Sequence, residues 1–344
     1  MPRKGKIIVL RFSAMGDVAM VASVLQELVS QNPEADLVMV SREAFKPFFD
    51  DIENLTFHSI FPKTTHKGIF GAFSLFKELI KYKPIAIADL HDNLRSRLLC
   101  AFFRLIGIKI KRINKGRIEK RALTRQQNKI LKPLKPTVER YSDVFKALGF
   151  KLHLNHQLIR KNKEVPSSAA NLFNQGDVKR VGISPFAQHL YKMYSLTKME
   201  SVIASLDALN YEIFIFGGGA DEQNTAENWA LKFANVKNLI GRFTLQEELA
   251  LISKLDLMLS MDSSGMHMAS LMGVPVISIW GPTHPFAGFL GYGQSLASCI
   301  QIEHPSRPTS IYGNKPCLCG TEPCIDLIEP QTIVKKITER LKNG

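Results

Sequence analysis

"LDLMLSMDSSGMHMASLMGVPVISIWG", residues 255–281, decides the fold. "LDLMLSMDSS" is an apolar strand with a polar end, "GMHMASLM" a short helix, and "VPVISIWG" a second apolar strand. Two strands joined by a helical crossover form a βαβ unit, and such units build parallel sheets. Asp262, Ser263, Ser264 and Gly265 lie where the helix begins, His267 lies inside it, and Thr283 closes a Gly-Pro-Thr turn after the second strand. Helix starts present unpaired N–H groups and a positive dipole end, which suits phosphate. Serine capping explains the same residues without a ligand.

Outward from this unit the rhythm continues. "RVGIS" (180–184) and "YEIFIFGGG" (211–219) read as strands, and "NLIG" (238–241) as a short one. Thr197 with Glu200 and Thr244 with Glu247 have the spacing of capping boxes. Residues 330–342 read as a closing helix. The first half repeats the pattern, with strands at 6–12, 36–41 and 84–90 and a helix whose apolar stripe is Val21, Val24, Leu25, Leu28 and Val29. The mixed segment "RKNKEVPSSAANLFNQGD" (160–177) interrupts it as a linker. The expected architecture is α/β: a Rossmann-like doubly wound domain over 1–165, a second over 166–329, and a helix at 330–344 packing back on the first. Ligands in open parallel sheets bind beyond the carboxyl ends of strands, and clefts between domains are favoured sites.

Composition narrows the function. The chain has 344 residues, 45% hydrophobic and 22% charged, as an ordinary globular protein does. It has no apolar run of 18 residues, and its basic N-terminus precedes too short an apolar stretch for a signal peptide. Five cysteines without a signal peptide point to reduced cytosolic thiols. Cys317, Cys319 and Cys324 supply only three sulfurs for a metal, so a turn with free thiols and no metal is expected. Of the net charge of +14, residues 108–135 carry +10, from eleven Lys or Arg against Glu119. Such a block attracts polyanions. It has no aromatic residue for base stacking, so a specific nucleic-acid partner is not expected, although a basic nucleic-acid binder is the competing reading from another class.

Polar residues collect at other strand ends. In "RFSAMGDV" Gly16 permits a turn, and Asp17 is either a helix N-cap or a general base. "ADLHDNLRS" gathers Asp89, His91, Asp92 and Arg95, either as salt-bridged surface or as a site for an anionic substrate. Lys192, in a loop between strand and helix, suits a phosphate. The glycines at 217–219 suggest close backbone approach, with Asp221 and Glu222 placed for ribose hydroxyls. There is no G-x-G-x-x-G and no Gly-Lys-Ser/Thr ending, so neither a dinucleotide fingerprint nor a P-loop is present.

Together "RFSAMGDV", "DLHDNLRSRLL", "FGGGADE", "NLIGRFTLQEELALI" and "D-S-x-x-x-H-x-A-x-x-x-G-x-P-x-x-x-x-x-G-P-T" (262–283) resemble glycosyltransferase family 9, the bacterial heptosyltransferases of lipopolysaccharide core assembly. The resemblance runs from residue 6 to about 285. It implies a GT-B fold, two Rossmann-like domains facing a central cleft, and an inverting transfer of heptose from ADP-heptose to an inner-core acceptor. It implies Asp17 as the base, with Lys192 against the diphosphate. Asp262, Ser263, Ser264, Gly265, His267, Gly218, Asp221, Glu222 and Thr283 would bind the donor. Gly16, Asp89, His91, Arg95 and Arg112 would bind the acceptor. No cofactor or metal is required, only the nucleotide sugar. The partners implied are a lipid-linked anionic glycan and, peripherally, the inner membrane surface. The chain would be a cytoplasmic monomer. Another GT-B enzyme, such as a hexosyltransferase or a sugar-nucleotide epimerase, is the alternative. Two features depart from the family pattern: the glycine comes one place late in D-S-S-G-M-H, and His91 and Asp92 stand where many members carry neutral polar residues.

Overall fold

A computed structural model describes residues 5–173, 176 and 178–343. The basic start at 1–4 and linker residues Asn174, Gln175 and Asp177 lie outside the described residues. The chain divides into two compact units, Met1–Lys115 with Pro136–Asn155, and Gly116–Lys135 with His156–Gly344. The division thus falls at 155/156 instead of 165/166, and residues 116–135 belong with the second half.

The first unit runs β1 (Lys6–Leu10), α1 (Met15–Gln31), β2 (Asp36–Arg42), β3 (Leu55–Ile60), α2 (Gly68–Leu79), β4 (Pro84–Asp89), α3 (Leu94–Leu105) and β5 (Lys109–Arg112). The chain then contributes α4 (Arg117–Thr124) to the other unit and returns with α5 (Thr137–Leu148). The strands form one parallel sheet in the order β3-β2-β1-β4-β5. β1 is buried over Ile7–Leu10, because a central parallel strand is covered on both faces. Its core joins Ile8, Leu10, Val38, Val40, Leu75, Leu79, Leu99 and Phe103. β5 lies in the basic block, and its alternation of lysine with isoleucine suits an edge strand.

The second unit runs β6 (Arg180–Ser184), α6 (Leu196–Ala208), β7 (Glu212–Ile215), α7 (Ala220–Lys232), β8 (Val236–Asn238), α8 (Leu245–Ile252), β9 (Leu257–Met261), α9 (Ser264–Leu271), β10 (Val276–Ile279) and β11 (Cys299–Ile300). These strands form a second sheet, β11-β10-β9-β6-β7-β8, whose paired strands are all parallel. A hairpin of β12 (Leu318–Cys319) and β13 (Glu322–Pro323) precedes α10 (Pro330–Lys342). The opening strand–helix–strand unit is therefore β9-α9-β10.

Three expectations need correcting. The closing helix packs on α6 in the second unit, because its stripe of Ile333, Val334, Ile337 and Leu341 completes that unit's own core. The cap of α6 is Ser195, not Thr197, and Glu200 instead accepts from Trp229 Nε1 at 3.2 Å. Cys319 and Cys324 are joined by a disulfide, so the three clustered cysteines are not all free thiols. The box of Thr244 with Glu247 forms as its spacing requires. Among the described residues no helix is long and apolar enough to cross a membrane.

Candidate active site

Polar side chains gather at the carboxyl ends of the strands in each unit. In the first unit the register pairs Leu10 with Asp89 and Asp89 with Arg112. The residues that follow these strands therefore meet beside β1, where the strand order reverses.

Asp17 is not an N-cap. α1 starts at Met15 with Ala14 as cap, so Gly16 is helical and Asp17 sits within the first turn. An acidic group there is favoured by the helix dipole. Its carboxylate has two partners: the Arg11 guanidinium lies 2.5 Å from Oδ2, and the Tyr141 hydroxyl donates to Oδ1 at 3.3 Å. Arg11 is itself tethered, donating from Nη1 to the Leu90 carbonyl at 2.8 Å. A carboxylate offers about four lone-pair sites, so two held contacts orient it and leave room for a third group.

Asp89 is fully buried and its carboxylate is spent inside the fold. Oδ1 accepts from the N–H groups of His91 (3.1 Å) and Asp92 (2.9 Å), and Oδ2 from Ser96 (3.2 Å) and Arg112 Nε (2.9 Å). It shapes the 89–93 turn, in which Asp92 has φ 48° and pairs with Arg97 at 2.7 Å. Arg112 serves the same carboxylates and lies 3.5 Å from Asp92. Arg95 donates to the Pro62 carbonyl at 3.2 Å.

His91 Nδ1 accepts the Phe12 N–H at 3.0 Å, which assigns the proton to Nε2. Burial, reinforced by the charges of Arg11 and Lys115, pushes its pKa down to about 3. At neutral pH this imidazole is an uncharged hydrogen-bond donor and cannot take a proton as a base.

In the second unit, Lys192 ends a 3-10 turn (Leu190–Lys192) after β6, and Asp262 follows β9. Their side chains meet at 3.0 Å, with 15% and 8% of each exposed. The pair neutralises the charge by which an isolated Asp262 would repel an anion. Ser263 occupies the N-cap position of α9 but makes no side-chain cap bond, and its N–H donates to the Met261 carbonyl at 2.7 Å. The amides at this helix start that lack an intrahelical partner and could meet an anion therefore begin at Ser264, not at Ser263. The late glycine has a packing reason: a Cβ on Gly265 would lie 2.4 Å from Ser184 Oγ and 2.5 Å from Ser184 Cβ. His267 is buried on α9. Thr283 is buried, and its hydroxyl has no hydrogen-bond partner among the described residues.

At the end of β7, Glu222 reaches back over the glycines and accepts the Gly218 N–H at 2.7 Å. Asp221 is exposed on α7. Two residues that the sequence reading missed hold this region. Gly313, at φ 78°, leaves room for the Lys192 stem: a Cβ there would lie 2.1 and 2.2 Å from Lys192 Cδ and Cγ. Buried Arg307 donates to the carbonyls of Gly281 (2.6 Å), Trp280 (3.2 Å) and Thr283 (2.9 Å), and so fixes the Gly-Pro-Thr turn. Neither has a motif; each acts through backbone that folding brings near.

Part of the basic block is committed within the fold, although Lys109, Arg112, Arg117, Arg121, Arg125, Lys132 and Lys135 are exposed. Lys120 lies 4.0 Å from the centre of the Phe289 ring, and Lys129 donates to the carbonyls of Pro305 (3.0 Å), Ser306 (2.7 Å) and Pro308 (3.1 Å). Arg121 and Arg125 instead join Lys315 and Thr309 in lining a cavity of about 490 Å³. The described residues also hold one cluster of metal-ligating types, His304 with Cys319 and Cys324.

Two Rossmann-like parallel-sheet units in one chain make up the GT-B fold. Residues 72–310 match the model of glycosyltransferase family 9 (heptosyltransferase), and the chain belongs to that family. It is 28% identical to the lipopolysaccharide core heptosyltransferase OpsX of Haemophilus influenzae, over 81% of this chain and 80% of the other. It is 25% identical to lipopolysaccharide heptosyltransferase 3 of Escherichia coli, over 78% and 81%. The fold is shared with a family 9 glycosyl transferase of Veillonella parvula, at TM-score 0.74 and 18% identity over 99% of this chain and 98% of the other. It is shared with E. coli heptosyltransferase WaaC, solved with ADP, at TM-score 0.68 and 16% identity over 97% and 99%.

Proposed function

We propose that the protein transfers a heptose from ADP-heptose to an inner-core lipopolysaccharide acceptor with inversion, Asp17 acting as general base. The observation that carries this reading is the Asp17 carboxylate, held by Arg11 and Tyr141 at the carboxyl edge of the first sheet. A sugar hydroxyl is a poor nucleophile, and an oriented carboxylate promotes attack by taking its proton. His91, neutral and donating from Nε2, binds an acceptor oxygen beside it. Asp89 and Arg112 position that turn.

Lys192 and the amides from Ser264 onward stabilise the charge that develops on the leaving diphosphate. On donor binding Lys192 turns from Asp262 to the diphosphate, and Asp262 accepts sugar hydroxyls. Glu222, lying over the glycine loop, suits the ribose better than exposed Asp221. His267 and Thr283 complete the donor seat. Names of relatives support the donor and acceptor: one solved heptosyltransferase carries ADP, and one relative is named a lipopolysaccharide core heptosyltransferase. Arg121, Arg125 and Lys315 meet acceptor phosphates. Exposed Phe70 (90%) and Ile69 (67%) on α2 and Leu94 (85%) on α3 touch the inner membrane surface from the cytoplasmic side.

Asp17→Asn tests the reading. Transfer should fall by about 10²–10⁴-fold, the usual worth of general base catalysis, while calorimetric ADP affinity stays unchanged. Wild-type turnover in this variant refutes the base. Proton NMR of the product reads the anomeric configuration, and calorimetry against UDP- and GDP-sugars tests the donor.

A further inference from the structure

We propose that His304, Cys317, Cys319 and Cys324 form a tetrahedral site for a thiophilic divalent cation, of the structural zinc class, when the Cys319–Cys324 disulfide is reduced. The ligand atoms of His304, Cys319 and Cys324 all lie within 4.8 Å of one another. The Cys317 sulfur is 3.1 Å from that of Cys324. Three sulfurs and one imidazole are a complete Cys₃His set for zinc. The fourth ligand escapes sequence reading because His304 lies in a separate loop and only folding brings it to the hairpin.

The surroundings suit a metal better than a lone disulfide. Cys317 and Cys324 are buried at 5% and 1% exposure, on the two flanks of the β12–β13 hairpin. The Cys324 N–H donates to the Cys317 carbonyl at 2.9 Å, which holds the two cysteines side by side. Gly320, at φ 77°, makes the tight turn that brings Cys319 back toward Cys324. A disulfide uses two of the three sulfurs and leaves the buried Cys317 thiol packed against it with no task. Burial pushes the Cys317 thiol up, and the charges of Arg307 and Lys129 work against that rise. Their charge also offsets the net −1 of a divalent cation with three thiolates.

The site forms in two balanced steps. A dithiol reductant gives two electrons and two protons to the disulfide and becomes a disulfide itself, leaving three thiols in the cluster. The cation then binds three thiolates and one His304 nitrogen, and three protons leave. His304 gives up the 3.2 Å hydrogen bond that its Nδ1 accepts from Ser306, or turns its ring, to free a lone pair. Oxidation and metal are therefore alternative clamps on one loop. That loop frames Lys192: Asp326 accepts the Ser195 N–H at 2.8 Å, the Tyr194 hydroxyl donates to the Ile328 carbonyl at 2.6 Å, and Gly313 borders the Lys192 stem. Metal here holds the loop and performs no chemistry on the sugar.

The test uses the full chain, reduced anaerobically with a phosphine and freed of metal by chelator. Zinc is titrated against a chromophoric chelator, and cobalt(II) is added to a second sample. Elemental analysis of protein purified under reductant distinguishes zinc from iron. One metal per chain, with cobalt–thiolate charge-transfer bands and tetrahedral ligand-field bands, is expected. Cys317→Ser leaves the disulfide pair intact, and His304→Gln alters a half-buried residue, so both retain the fold. Each should weaken zinc binding by more than about 100-fold, beyond the loss usual for an outer-sphere partner. Stoichiometry far below one in the reduced wild type overturns the proposal. So does wild-type affinity in Cys317→Ser, which would reduce the cluster to an ordinary dithiol. Binding is read without glycosyl transfer, so the result stands apart from the assignment of donor and acceptor.

Discussion

Replacing Gly313 by alanine should cripple turnover with little loss of fold. The new Cβ would lie 2.1 Å from Lys192 Cδ and 2.2 Å from Cγ. Carbon atoms settle at about 3.5–4.0 Å, so the lysine stem must move by about 1.5 Å. That shift breaks the 3.0 Å contact with Asp262 and takes the ammonium away from its place. A misplacement of about 1 Å at a reacting centre can cost ~10²-fold, or roughly 2.7 kcal/mol at 1.36 kcal/mol per tenfold. Backbone strain adds a separate cost: alanine in the left-handed region loses about 1–2 kcal/mol, worth a drop of only a few degrees in Tm. Gly107→Ala separates the two effects, because Gly107 has φ 81° with nothing within 4 Å of its Cβ position. Release of ADP from ADP-heptose with an inner-core acceptor gives kcat/KM, and a thermal melt gives stability. Gly313→Ala should lose about 10²-fold in kcat/KM, and Gly107→Ala should keep wild-type kinetics with a comparable fall in Tm. Activity within threefold of wild type in Gly313→Ala would refute the role given to Lys192.

Other perturbations read other parts of the molecule. Burial pushes Glu248 up to about 7, so the folded chain holds a proton there that the unfolded chain releases near 4.5. Stability should therefore fall as pH rises from 4.5 through 7; Glu248→Gln should remove that fall, gaining up to about 3 kcal/mol at pH 8 and nothing at pH 4 in urea titrations. His91 behaves oppositely: its folded pKa of about 3 lies below the ordinary 6.5, so stability is full above 6.5 and is lost as pH falls toward 3, by about 5 kcal/mol at most. His91→Asn should flatten that acid limb, and an unchanged acid profile would show that another group unfolds the chain. Arg307→Met leaves the carbonyls of Trp280, Gly281 and Thr283 without their donor. With about 1.5–3 kcal/mol for each charged hydrogen bond, it should lower the Tm by more than about 5 °C, and a smaller shift would mean that water replaces the guanidinium.

The sheets were legible in the sequence where strands are buried on both faces, because β1, β4, β6, β9 and β10 read as continuous apolar runs. β5 was not, since Lys109, Lys111 and Arg112 mask an edge strand as a basic surface. The same block hid a crossing between units, because periodicity reports the face of a helix and not which core receives it; α4 buries Leu123 beside Leu134 and Ala287 of the second unit. For α10 the sequence carried the stripe of Ile333, Val334, Ile337 and Leu341 but not its destination on α6.

The site divides along the same line. Residues proposed to act at their own strand end, such as Asp17, His91, Lys192 and Asp262, stand out because a polar or charged group after an apolar strand is unusual. The residues that set their state do not. Arg11 and Tyr141 are far from each other in sequence yet fix one carboxylate, and Gly313 controls a lysine 121 positions earlier. The Asp17 reading turned on this distinction. A cap and a base share the same sequence signature, an acid near a helix start, and they differ only in what the carboxylate touches. A cap spends its oxygens on the amides of its own helix. Asp17 spends them on a guanidinium and a phenol from elsewhere in its unit, and in the proposed role its remaining lone pairs face a substrate hydroxyl. Tyr141→Phe therefore separates orientation from charge: it removes one anchor and keeps the Arg11 pair. If orientation matters, kcat falls while the KM for donor holds; if Asp17 only stabilises α1, the variant changes Tm and leaves kcat alone.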